Sequence, residues 1–306
     1  MIKVENLGKY FDNIKAVDGI SFEVKKGEVV GFLGPNGAGK TTTMKMLTSF
    51  ISPTFGTASI CGHSIIDDSL SVRKNIGYLP ETVAVYSDMR VSAFLDFAAQ
   101  IRGFDKNERF KKIKSVVDVT NLNSVFNQEI ETLSKGYKCR LGLAQAILHD
   151  PPVLILDEPT DGLDPNQKHE VRALIRKLST DKAIIISTHI LEEVESVCSR
   201  AIIISKGAIA ADSTPEKLRS QSSFAGAVDV TFKAAKIGIF ELLKGLTSVS
   251  QVNQLNNQRY LLLPKSGCNL LEEVISVSTN NGLTISDITV DKGRLDQVFY
   301  EITTNS

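Results

Sequence analysis

The stretch Gly34-Pro35-Asn36-Gly37-Ala38-Gly39-Lys40-Thr41-Thr42 decides the fold. It fits the pattern G-x-x-x-x-G-K-[ST], follows the apolar run Val29-Val30-Gly31-Phe32-Leu33, and leads into Thr43-Met44-Lys45-Met46-Leu47. A buried strand, a glycine-rich loop and the first turns of a helix form the setting in which this pattern holds a phosphate. Glycine at 34, 37 and 39 lets successive N–H groups turn inward around an anion. The helix starting near Lys40 adds the positive end of its dipole. Lys40 brings a point charge to the β- and γ-phosphates, and the Thr41 hydroxyl is of the right kind to ligate Mg2+.

Composition narrows the remaining possibilities. The 306 residues suffice for one large domain and a small one. Lys plus Arg and Asp plus Glu are equal at 35 each with no basic run, so the electrostatic footprint of a nucleic-acid binder is missing. Cys61, Cys139, Cys198 and Cys268 are far apart and make no C-x-x-C pair, which points away from a metal centre or a disulfide framework and toward a reducing cytoplasm. Charge at Lys3 and Glu5 disfavours a signal peptide, and no apolar run approaches the ~20 residues of a membrane-spanning helix. The expectation is a chain that does not cross a membrane by itself.

Strands are expected at 3–7 and 20–24 around the central run, with further strand-like runs at 58–60 and 76–81. Phe11, between the first two, reads either as a packing residue or as an aromatic that returns to stack on a base. Glu81, after Leu79-Pro80, reads either as part of a strand-end turn or as an acid near the metal. Helical spacing takes over at 91–103 and 106–119, with Phe94, Leu95, Phe97, Ala98 and Ile101 on one side. Ser134 reads as the N-cap of a helix through Leu148. Val153-Leu154-Ile155-Leu156-Asp157-Glu158 reads as a central parallel strand ending in two acids, where open α/β sheets place ligands. Asp157 suits Mg2+, and Glu158 suits a general base toward water aimed at a γ-phosphate. Asp164-Pro165 opens a further helix. The strand 183–188 delivers His189 to the same sheet end. The polar, serine-rich stretch 213–226 reads as a boundary. Beyond it the pattern is βαββαβ with a terminal helix at 295–302, a ferredoxin-like α+β domain.

Together these motifs resemble the nucleotide-binding subunit of ATP-binding-cassette (ABC) transporters, most of all the separately encoded ATPases of ABC-2-type exporters, including their gliding-motility-type and multidrug-type branches. The resemblance covers about residues 2–220 and is weaker beyond, where it rests on Arg294-Leu295-Asp296-Gln297-Val298-Phe299. It implies an α/β P-loop NTPase cassette over 1–220, with a helical subdomain at about 82–150, and an accessory domain over 221–306. It makes Phe11 the adenine-stacking aromatic, with Tyr10 the lesser candidate, and residues 34–42 the Walker A loop that holds ATP. Glu81 stands where most of the family has glutamine. Leu133-Ser134-Lys135-Gly136-Tyr137 stands where Leu-Ser-Gly-Gly-Gln is usual, and its Ser134 and Gly136 are expected to cap the γ-phosphate of a second chain. The stretch 153–157 corresponds to Walker B, Glu158 to the catalytic base, 161–164 to the D-loop and His189 to the switch histidine. The implied ligands are ATP and Mg2+, with no other metal and no nucleic acid. The implied partners are a second copy, in a head-to-tail homodimer, and an ABC-2-type permease at the cytoplasmic face of the plasma membrane. A soluble ABC-type ATPase, or an ATP-dependent switch not coupled to transport, are the alternative readings.

Overall fold

The computed structural model describes residues 1–265 and 268–304. By contact the chain forms two compact units, Met1–Ser213 and a second from Thr214 to Thr304.

The first unit opens with a hairpin of β1 (Ile2–Phe11) and β2 (Ile14–Val24), followed by β3 (Val29–Leu33), α1 (Lys40–Leu47), β4 (Phe55–Ile60), β5 (His63–Ser64), α2 (Ser69–Asn75) and β6 (Ile76–Leu79). A helical segment comes next, with α3 (Val91–Ile101), α4 (Lys106–Val119) and α5 (Lys135–Ile147). The unit closes with β7 (Val153–Asp157), α6 (Pro165–Ser179), β8 (Ala183–Thr188), α7 (Leu191–Val197), β9 (Arg200–Ser205) and β10 (Ala208–Ser213). Lys9-Tyr10-Phe11, read from sequence as lying between strands, belongs to β1. Phe11 pairs with Ile14, and Asp12 takes the left-handed conformation (φ 49°) that a two-residue turn needs.

Two sheets share one core. The antiparallel sheet runs β2-β1-β4-β5, and the larger one runs β10-β9-β3-β8-β7-β6, parallel except at β10. Strands β3, β7 and β8 are buried along their whole length, which explains why their sequences are continuous apolar runs rather than alternations. Leu33 sits beside Thr188, and Asp157 beside Ser187. The residues that follow these three strands therefore emerge together at one end of the sheet.

In the helical segment, α3 buries Phe94, Leu95 and Ala99, while Phe97 and Ile101, placed on the same side in the sequence reading, stay exposed at 37% and 69%. The Asp105–Glu108 capping box fixes the start of α4. Helix α5 lies directly on β6, so closely that a Cβ at Gly77 would stand 2.2 Å from the Ala146 carbonyl oxygen, and one at Gly142 would stand 2.5 Å from the Leu79 side chain.

Where α5 ends, His149 Nε2 donates to the Ile76 carbonyl at 3.0 Å, while Nδ1 is buried with no partner among the described residues. Burial first, and then the charges of Arg102, Lys112 and Lys182, lower its pKa from 6.5 to about 4. The unfolded chain takes up this proton near pH 6.5 and the folded one does so only near pH 4. Stability from this group is therefore fully present above pH 6.5 and is lost as the pH falls through that window. The expected loss between pH 7 and pH 5 is about 2 kcal/mol. Urea unfolding at both pH values checks this, because His149→Gln keeps the bond to Ile76 and should remove that part of the pH dependence.

The second unit begins with α8 (Pro215–Ser220), where the sequence reading had only a polar boundary. Thr214 caps it by accepting from the Lys217 N–H, and Pro215 occupies its first turn. Strand β11 (Ala225–Phe232), α9 (Ile239–Lys244), β12 (Val249–Gln254), β13 (Arg259–Pro264), α10 (Leu270–Asn280) and β14 (Ile285–Lys292) follow in the expected βαββαβ order, with α11 (Leu295–Thr304) last. The sheet order β12-β13-β11-β14, antiparallel throughout, is that of the split ferredoxin-like arrangement. Its core gathers Val228, Val230, Phe232 and Leu262 of the sheet with Leu243 and Val274 of the helices.

Candidate nucleotide-binding and hydrolysis site

At the strand ends lies a cleft of about 820 Å³, lined by the loop before α1, by Phe11, and by Glu81, Glu158 and His189. The loop is held in shape from behind. Gly39 has φ 107°, and a Cβ there would stand 2.3 Å from the Ala16 carbonyl oxygen, so only glycine lets α1 begin at this point. Lys40 is buried and donates to the carbonyls of Gly34 at 2.8 Å and Pro35 at 3.3 Å, with its Nζ 3.7 Å from the Glu158 carboxylate. An ammonium bound to the loop's own carbonyls is already aimed across the space the loop encloses.

Asp157 closes β7 at 1% exposure. Its Oδ1 accepts from Ser187 Oγ and, at 3.4 Å, from Thr41 Oγ1, while Oδ2 is buried with no partner among the described residues. An orphaned, buried carboxylate oxygen next to a threonine hydroxyl is costly for the protein alone and fits a hard divalent cation.

Glu158 stands at φ 50°, in the left-handed region. Its N–H donates to the Ser187 carbonyl at 3.0 Å, and its carbonyl accepts from the Asp161 N–H at 3.2 Å. His189 Nδ1 donates to Glu158 Oε2 at 2.8 Å. Burial raises the pKa of the Glu158 carboxyl, against the pull of His189 and Lys40, which moves it toward the range of a useful proton acceptor.

Phe11 is 45% exposed at the end of β1 and lines the cleft. Tyr10 is otherwise engaged, with its hydroxyl donating to Asp18 at 2.6 Å and its ring edge-on to Phe55. Glu81 lines this cleft and also a second cavity of about 280 Å³ behind it. Ser134 and Gly136 do not line the cleft. Ser134 caps α5 by accepting from the Tyr137 N–H at 3.4 Å, and Gly136 packs against the Gln167 side chain. Two participants escaped the sequence reading. Lys206, in the turn between β9 and β10, lines the cleft, and Ser187, read only as part of a strand, bonds Asp157. The one available signal for Lys206 was its place before Gly207, the mark of a tight turn beside a sheet end.

A phosphate loop, a buried metal-type carboxylate and a desolvated glutamate at the end of a parallel sheet define a P-loop nucleoside triphosphatase. A family model described as ABC transporter matches residues 17–161. The uncharacterized ABC transporter ATP-binding protein YxlF of Bacillus subtilis (strain 168) is 35% identical over 305 residues, covering 99% of each chain. The linearmycin resistance ATP-binding protein LnrL of the same organism is 28% identical over 307 residues, covering 99% of this chain and 98% of that one. A solved ATP-binding subunit of an ABC transporter superposes with a TM-score of 0.66 at 29% identity, over 72% of this chain and 92% of that one. The chain belongs to the ABC transporter ATP-binding proteins, and it binds and hydrolyses ATP.

Proposed function

We propose that this chain drives export through a separate membrane permease, as a head-to-tail homodimer at the cytoplasmic face of the plasma membrane. The observation that carries the reading is the segment after β6. It presents Glu81 to the nucleotide cleft and, three to five residues later, presents Ala84, Val85 and Tyr86 to an apolar groove of about 660 Å³. Exposed Leu70, Phe97 and Ile101 line the same groove. A single stretch thus joins the reacting end of the molecule to an uncovered apolar surface of the kind that receives a partner. No helix among the described residues is long and apolar enough to cross a membrane, so on this reading the pathway belongs to that partner.

Within the site, the N–H groups of residues 34–42 and the Lys40 ammonium bind the phosphates, and Phe11 stacks on the adenine. Thr41 and Asp157, with Glu81, would hold Mg2+, which when bound would offset phosphate charge. Glu158 takes a proton from the attacking water as its oxygen bonds to the γ-phosphorus, and the bridging P–O bond breaks to release ADP. His189 holds the Glu158 carboxylate in line. Ser134 and Gly136, turned away from their own cleft, complete the site of the second copy.

Affinity purification of the tagged chain from detergent-solubilised membranes of its native host tests the transport claim. A multispanning protein should come with it. Recovery only from the soluble fraction would leave the ATPase chemistry in place and remove the permease.

A further inference from the structure

Helix α5 reaches across to the residues that follow Glu158. Cys139, in its second turn, is buried at 8% exposure and donates its thiol hydrogen to the Pro159 carbonyl at 3.0 Å. Lys135, one turn earlier, pairs with Asp161 at 3.1 Å. Both ties land on the short turn that carries Glu158 in its left-handed conformation. Proline at 159 has no N–H, so its carbonyl is the only backbone hydrogen-bonding group by which this residue can be anchored. That carbonyl is next to the 280 Å³ cavity lined by Cys139, Glu81, Asp157 and Glu158, which is space into which an unanchored turn can shift.

We propose that Cys139 is a positioning residue for ATP hydrolysis: its thiol, bonded to the Pro159 carbonyl, fixes the turn that aims the Glu158 carboxylate into the cleft. Burial pushes the thiol up to about 11, so it keeps the hydrogen that the bond requires. The role is geometric, and Cys139 makes no contact with substrate. The inference rests on Glu158 acting as the base.

Three substitutions separate hydrogen bonding from packing. Cys139→Val removes the donor while adding about a methyl group of bulk, and should lower kcat about tenfold, as a small misplacement of a reacting group does, with the KM for ATP little changed. Cys139→Ala, smaller than cysteine and equally without a donor, should lower kcat likewise, so that the two bracket the original volume. Cys139→Ser restores a donor and should bring kcat back to within about twofold of the parent. Thermal unfolding of each variant reports its fold separately. Full kcat in Cys139→Val, a loss confined to KM, or no recovery in Cys139→Ser would each overturn the assignment. Glu158→Gln assayed alongside distinguishes the two levels. Normal turnover there removes the base reading and this inference with it, whereas an inactive Glu158→Gln beside a fully active Cys139→Val removes the inference alone.

Discussion

Glu158→Gln is expected to bind ATP as the parent does and to lose at least about a hundredfold in turnover, the lower end of what a positioned general base contributes. The amide is nearly isosteric and can still accept from His189, so the turn and the cleft stay in place. What it lacks is a proton-accepting oxygen of suitable basicity. Glu158 sits in a nearly buried position where desolvation raises its affinity for a proton, and its left-handed backbone directs it inward. Steady-state phosphate release measures the loss, and equilibrium nucleotide binding measures what is retained. In the same variant, unhydrolysed ATP should accumulate between two copies, so sedimentation at micromolar concentration with ATP should show a dimer. A species that stays monomeric there would contradict the head-to-tail arrangement.

Lys40→Ala is expected to abolish tight ATP binding, weakening it by about thirtyfold to several thousandfold, which corresponds to the roughly 2–5 kcal/mol lost when one partner of a buried charge pair is truncated. Lys40 is 6% exposed. Its removal also strips the Gly34 and Pro35 carbonyls of their donor, so the loop loses both its charge and part of its internal support. Titration of a fluorescent ATP analogue gives the shift directly. An affinity within a few-fold of the parent would mean that the loop amides alone hold the phosphates.

Much of this site was legible in sequence because its parts are local. Residues 34–42 carry loop, charge and helix start in one stretch, and the buried strands 153–157 and 183–188 announce themselves by unbroken apolar content that ends in acid or histidine. The same local grammar, applied less consistently, missed α8: Thr214-Pro215 is a cap and first-turn proline like Asp164-Pro165, but it lies in a serine-rich stretch whose composition suggested a boundary. Helices α2 and α7 are only seven residues each, too short for periodicity to separate from loop. Features that depend on distant pairing were out of reach. The bond from Cys139 to Pro159 joins positions 20 apart, Ser187 reaches Asp157 across 30, and no pattern in either segment signals the other. Likewise, the exposure of Phe97 and Ile101 depends on what packs against α3, which its own spacing does not specify.

The seating of α5 on β6 has a mechanical meaning. At Gly77 and Gly142 the contact has a bare backbone on one side, with no side chain there whose rotamers can absorb a displacement, and close-packed interiors compress little. Val83, in the segment that continues β6 toward the apolar groove, also abuts α5 at Gly142. On the proposed transport role, a load applied to that segment would pass into α5 through backbone contacts that yield little, toward the capped end at Ser134.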